Sequence, residues 1–116
     1  MDGNALGSRQ GIRAEASKFM KLVLSKLAKE DLLETWEYIA VHDEVAADRY
    51  IDYLRERALE LLDFPELGRL RSEIAPDLRS LLARNHLMFY RIQINEIQIL
   101  RILHGSRDFS SQEFPE

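Results

Sequence analysis

From Lys26 onward the hydrophobic period of this chain changes once, and that change sets the order of its main elements. From Lys26 to about Asp63, apolar side chains recur every three or four residues; after Leu78 they fall into short runs broken by two-residue polar pairs. The first spacing lays an apolar stripe along a helix, and the second reads as strands joined by tight turns. Helices followed by an antiparallel sheet are therefore expected. At 116 residues the chain holds one domain around one core.

Each element has a local signal. Met20–Leu24 fits a strand, with Leu22 and Leu24 on one face and Val23 on the other. Ser25 is a good N-cap for a helix carrying Ala28, Leu32, Trp36, Ile39 and Ala40, with Leu33 alongside. His42-Asp43-Glu44 interrupts it. Asp43 can cap a second helix to about Asp63, whose stripe is Ala47, Tyr50, Ile51, Leu54, Ala58, Leu61 and Leu62. So short a connection makes the two helices an antiparallel hairpin. Pro65 and Gly68 end the second helix. Arg69–Pro76 reads as a connection with room for a brief extended stretch. Leu78–Arg84, Leu87–Ile94 and Ile97–Leu103 then read as strands, separated by Asn85-His86 and Asn95-Glu96, and asparagine accepts the positive φ of such turns.

The expected fold is α+β, in the order β-α-α-β-β-β, with the N-terminal strand added to the meander as a fourth strand and the helices on one sheet face. The expected core is Leu22, Leu24, Leu32, Trp36, Ile39, Tyr50, Ile51, Leu54, Ala58, Leu61, Leu81, Ile92, Ile99 and Leu103. Trp36 and Tyr50 lie on apolar stripes and read as core rather than as binding platforms. Residues 1–19 carry three glycines and no periodicity, so they read as a mobile extension, native or vector-derived. The domain is expected over 20–108, with a tail at 109–116.

Composition removes whole classes of function. No apolar run approaches the roughly 20 residues of a membrane span, and no signal-peptide core of about 7–15 apolar residues is present, so a cytoplasmic protein without a membrane partner is expected. With no cysteine there is no thiolate zinc site and no cysteine nucleophile. His42, His86 and His104 lack metal-ligand spacing, and no P-loop or dinucleotide fingerprint occurs. Neither metal nor cofactor is expected.

Charge is divided along the chain. The formal net charge is −4, which argues against a surface wholly given to nucleic acid. Residues 29–66 hold 4 basic and 12 acidic residues, whereas 69–107 hold 7 basic and 3 acidic. Every basic residue of that second stretch is an arginine, since all four lysines precede residue 30.

Several pieces in a fixed order resemble the ParE/RelE superfamily of toxins from bacterial type II toxin–antitoxin systems, nearest its ParE-like branch. They are Ala28, Asp31 and Leu32; Tyr38-Ile39; Ala46-Ala47; Phe64-Pro65-Glu66-Leu67-Gly68-Arg69; Leu78-Arg79-Ser80-Leu81; Tyr90-Arg91-Ile92; and Ile99 through Asp108, ending His104-Gly105-Ser106-Arg107-Asp108. The resemblance spans about residues 20–108. It implies a small α+β toxin, neutralised in a hetero-oligomer by a cognate antitoxin whose tail wraps it. It also implies one of two activities: poisoning of DNA gyrase, as in ParE-like members, or cleavage of mRNA on the ribosome, as in RelE-like members. A nontoxic interaction module of the same fold is the third reading.

The residues weigh on that choice. RNA cleavage by 2′-OH attack needs a proton acceptor, a proton donor and cations for the developing charge. RelE-like members use lysines, arginines and a C-terminal tyrosine or histidine, but here no lysine follows Lys29 and no tyrosine follows Tyr90. Arginine stays protonated and serves poorly as acid or base. For a nuclease the candidates are His104 for proton transfer, with Arg79 and Arg107 as phosphate ligands. The structural alternatives are a hydrogen-bonded His104, an Arg107 paired with Asp108 or a helix carboxylate, and an Arg79 paired with the acidic helices. His86 reads as an exposed turn residue. Arg79, Arg84, Arg91, Arg101 and Arg107 are the candidates for binding target or antitoxin. The balance favours a gyrase inhibitor over a ribosome-dependent endonuclease. An apolar and basic sheet face is expected to be covered by the antitoxin.

Overall fold

The computed structural model describes residues 20–115; the extension expected at 1–19 lies outside them. In chain order it comprises strand β1 (Lys21–Leu24), helix α1 (Lys26–Ala40), helix α2 (Glu44–Asp63), strands β2 (Arg69–Leu70), β3 (Arg79–Ala83), β4 (His86–Gln93) and β5 (Glu96–His104), and a 3₁₀ turn (Phe109–Ser111). One sheet runs β1-β5-β4-β3-β2, antiparallel throughout except for β1, which lies parallel to β5. The expected α+β order holds. The brief extended stretch after Gly68 becomes β2, so the sheet has five strands rather than four.

Both helix starts follow their sequence signals. The Ser25 hydroxyl accepts from the Ala28 N–H at 3.0 Å, and the Asp43 carboxylate accepts from the Ala46 N–H at 3.0 Å. The Trp36 indole N–H donates to Asp48 at 2.8 Å, bracing the hairpin. The helices cover one sheet face over a core that includes Leu32, Ile51, Leu54, Leu61, Leu81, Met88, Tyr90, Ile97 and Ile99, with Leu22, Leu24, Trp36 and Tyr50 partly buried against it.

Three expectations are corrected. Ile92 is 39% exposed rather than core. Strand β3 begins at Arg79, opposite Tyr90, so β4 beyond Tyr90 has no neighbour on that side. The first hairpin turns one residue early: Ala83 pairs with His86, and Arg84 rather than an asparagine takes the positive φ, at 54°. The second hairpin also turns one residue early, at Ile94-Asn95 rather than Asn95-Glu96, and Asn95 takes the positive φ, at 61°.

The third correction concerns the far face of the sheet. It is not open, because the chain covers it with its own residues. Leu78, Phe89, Leu100 and Leu103 form a second buried cluster under Ile74, Ala75, Phe109 and Phe114. The Phe109 and Phe114 rings both meet Phe89 edge-on at 5.0 Å between centroids, a favoured aromatic geometry.

Candidate functional site

A register shift in the last hairpin assembles the site. Phe89 pairs with Arg101 but Tyr90 pairs with Ile99, so β5 carries one extra residue there. Such a bulge reverses the alternation of faces. Ile97 and Ile99 face the helices, and beyond the bulge Ile102 does so while Leu103 turns to the second cluster. His104 thereby comes to the helix side, directly opposite His86, with the two rings edge-to-face at 5.4 Å.

His86 is buried, not an exposed turn residue. Its Nδ1 lies 2.6 Å from the Tyr50 hydroxyl of α2, and its Nε2 is 3.5 Å from Thr35 Oγ1 of α1. The Tyr50 hydroxyl and the His86 imidazole thus share one short hydrogen bond between α2 and β4. Burial, aided by His104, holds the His86 pKa below its ordinary value, against the pull of Asp31. Burial raises the pKa of Tyr50. The exposed His104 is held by Ser106, whose backbone N–H donates to Nδ1 at 3.2 Å and whose hydroxyl lies at 2.8 Å. In the neutral ring the His104 proton is therefore on Nε2.

Thr35, Tyr50, His86 and His104 line a cavity of about 450 Å³ between the helical hairpin and the ends of β4 and β5. Tyr38, Ile39 and Ile102 give it apolar wall, and Arg107 with Glu34 stands at its charged side. The Arg107–Glu34 contact is long, 3.4 Å, between exposed groups, so it holds Arg107 weakly.

The arginines of the sheet half have diverged in what they do. The Arg101 residue is 8% exposed and makes a two-pronged pair with Asp31, at 2.8 and 2.9 Å, while also donating to the Glu113 carbonyl at 2.9 Å. That bonding raises its pKa further. Arg79 donates to the Gly68 carbonyl at 2.7 Å and that of Glu66 at 3.4 Å, fixing the Pro65–Gly68 turn rather than pairing with the helices. Arg91 donates to the carbonyls of Pro76 and Pro115 at 3.3 and 3.4 Å. Arg84 stands over the Tyr53 ring at 4.2 Å, a cation–π contact at the surface. His104 and Arg107 thus share one cavity and Arg79 does not reach it. Tyr50 and Thr35 were not legible as site residues, because in sequence they are ordinary positions on helix faces.

The family model for the ParE toxin of the type II toxin–antitoxin system, parDE, matches residues 22–109. The chain belongs to this family. Toxin ParE1 of Mycobacterium tuberculosis is 34% identical over 92 residues, covering 76% of this chain and 92% of the relative. Toxin ParE3 of Caulobacter vibrioides is 39% identical over 49 residues, covering 42% of this chain and 49% of the relative. Among solved structures, a chain of the chromosomal ParDE toxin–antitoxin system from P. aeruginosa superposes with a TM-score of 0.66 at 25% identity, over 74% of this chain and 96% of that one. The ParE fold therefore runs from β1 into the 3₁₀ turn. Within it, Arg101 and Arg79, two of the arginines offered as binding candidates, have intramolecular partners in Asp31 and the Gly68 carbonyl. No described helix is long and apolar enough to cross a membrane.

Proposed function

We propose that this ParE-family chain inhibits DNA gyrase by binding it and stabilising a cleaved DNA–enzyme state, and that a cognate antitoxin neutralises it. The observation that carries the choice of binding over RNA cleavage is the separation of the nuclease candidates. His104 pairs with His86, whereas Arg79 pairs with Tyr90. Those β4 positions are four residues apart, about 13 Å along a strand, and the Arg79 guanidinium is taken up by backbone carbonyls. A phosphorane-like charge next to His104 would have Arg107 but not Arg79 beside it. For the antitoxin, the natural ground is the exposed apolar side chains of the helical layer, Leu33, Tyr38, Val41 and Val45, since the far sheet face is already covered.

The test adds purified chain to gyrase with supercoiled plasmid and, separately, to programmed ribosomes. Linearised plasmid with intact mRNA is the expected result. Cleaved mRNA, lost in His104→Ala, overturns the reading in favour of the endonuclease, because a proton-transfer group contributes about 10²–10⁴-fold. Inactivity in both assays leaves a nontoxic interaction module.

A further inference from the structure

We propose that the cavity between the helical hairpin and the β4–β5 ends is a nucleotide-binding site, in which Arg107, His104 and His86 hold a phosphate and Tyr38 receives a planar base. The cavity, at about 450 Å³, falls in the range of small-ligand clefts, roughly 300–1,000 Å³. Its hydrogen-bonding capacity is incompletely used. Tyr50 occupies His86 Nδ1, and where its hydroxyl donates there the Nε2–H of this buried ring has only the 3.5 Å contact to Thr35. Ser106 occupies His104 Nδ1, leaving that ring's Nε2–H as a second donor. Arg107 is the third, and its guanidinium fork suits a phosphate. The Asp31 carboxylate lines the cavity too, but it is committed to Arg101 and to the Ile102 N–H at 2.9 Å. Tyr38 is 80% exposed at the opening and the adjoining wall is apolar, through Ile39 and Ile102. An aromatic face beside a phosphate site is how proteins take up one unstacked base.

Charge around the histidines sets the pH response. Asp31 and Glu34 face them from α1, Tyr50 from α2 and Arg107 from the residues after β5, while Tyr53 and Arg84 act on Tyr50. Glu34 contacts Arg107 and competes with an anion for it. A protonated imidazole would add a charge for an anion, and burial holds the His86 pKa down against that gain. No bond is broken in the site, and binding does not depend on the gyrase reading: a negative gyrase assay leaves it intact.

The test follows the imidazole nitrogen resonances of the full chain during titration with inorganic phosphate, adenosine monophosphate and a short single-stranded oligonucleotide. The expected result is perturbation of His86 and His104 but not of His42, which lies in the helix connection. Arg107→Gln weakens every probe about tenfold, whereas Glu34→Gln tightens them about threefold. Tyr38→Ala weakens the nucleotide about tenfold and leaves inorganic phosphate unchanged. Free nucleotide binding as well as the oligonucleotide identifies a soluble nucleotide as the source; tighter oligonucleotide binding identifies a nucleic-acid strand. No perturbation at about ten times a millimolar Kd, perturbation that survives Arg107→Gln, or phosphate bound as tightly as nucleotide each overturns the proposal.

Discussion

The Asp31 carboxylate grips the Arg101 guanidinium through both oxygens, at 2.8 and 2.9 Å, and one of those oxygens also accepts the Ile102 N–H at 2.9 Å. Strand β1 ends at Leu24, opposite Ile99, so β5 beyond that point has no strand on its outer side. Helix α1 takes over: the Ser25 hydroxyl donates to the Leu100 carbonyl at 2.7 Å, and Asp31 receives Ile102. The pair therefore closes an open strand edge as well as neutralising a buried arginine. Asp31→Ala is expected to cost about 3–5 kcal/mol, because it leaves the buried charge and the Ile102 N–H without partners. Asp31→Asn, which keeps an acceptor for that N–H, should cost less. Chemical denaturation of both variants checks the order; equal losses would remove the edge-closing role.

Tyr90 makes the corresponding prediction for the other end of the sheet. Its buried hydroxyl accepts from the Gly68 N–H at 2.9 Å and donates to the Pro65 carbonyl at 2.7 Å. A Cβ on Gly68 would lie 2.7 Å from both the Ser80 oxygen and the Tyr90 ring, so close approach, not an unusual φ, requires glycine there. Tyr90→Phe should cost about 1–3 kcal/mol through two unsatisfied backbone groups, and Gly68→Ala should destabilise by clash. Burial raises the Tyr90 pKa despite the opposing Gly68 N–H. A raised phenol pKa means the unfolded chain loses its proton first, so the stability Tyr90 contributes is intact below about pH 10 and declines above it. In Tyr90→Phe this alkaline decline should shrink.

His86 behaves in the opposite sense. Its pKa is lowered in the fold, so below about 6.5 the unfolded chain binds a proton that the folded chain refuses. Stability from this residue is therefore present above about pH 6.5 and is lost as pH falls below it. Unfolding free energy measured from pH 7.5 downward should decline for the natural sequence and flatten in His86→Gln. An unchanged slope would mean that other groups control the acid response.

Among the five arginines offered by the sequence, only Arg84 and Arg107 combine exposure with weak internal contacts. We expect Arg84→Glu and Arg107→Glu to weaken capture of the antitoxin or of gyrase while shifting stability by no more than about 1 kcal/mol. Arg101→Ala should instead unfold the domain. Binding measured beside thermal melting separates the two groups; lost binding on Arg79→Lys with unchanged melting would place Arg79 among the contact residues after all.

By itself the sequence determined what short-range chemistry controls: the helical hairpin with its Ser25 and Asp43 caps, the three meander strands, Pro65 and Gly68 as a stop, and a family resemblance held in local motifs. It did not determine which way the last side chains point. Strict alternation from Ile99 would have sent Leu103 to the helices and His104 away from them. One extra residue in β5 reversed both, and a turn set at Arg84-Asn85 moved His86 from a loop into a strand. The same limit applies to charge. Nothing in the order of residues separates Arg101 from Arg107, six positions on, because burial arises only when α1 brings Asp31 across seventy residues of chain to meet it. Periodicity is a local property and was legible. The pairing of His86 with His104, of Tyr50 with His86, and of Asp31 with Arg101 depends on register between distant segments, which only the packed sheet decided.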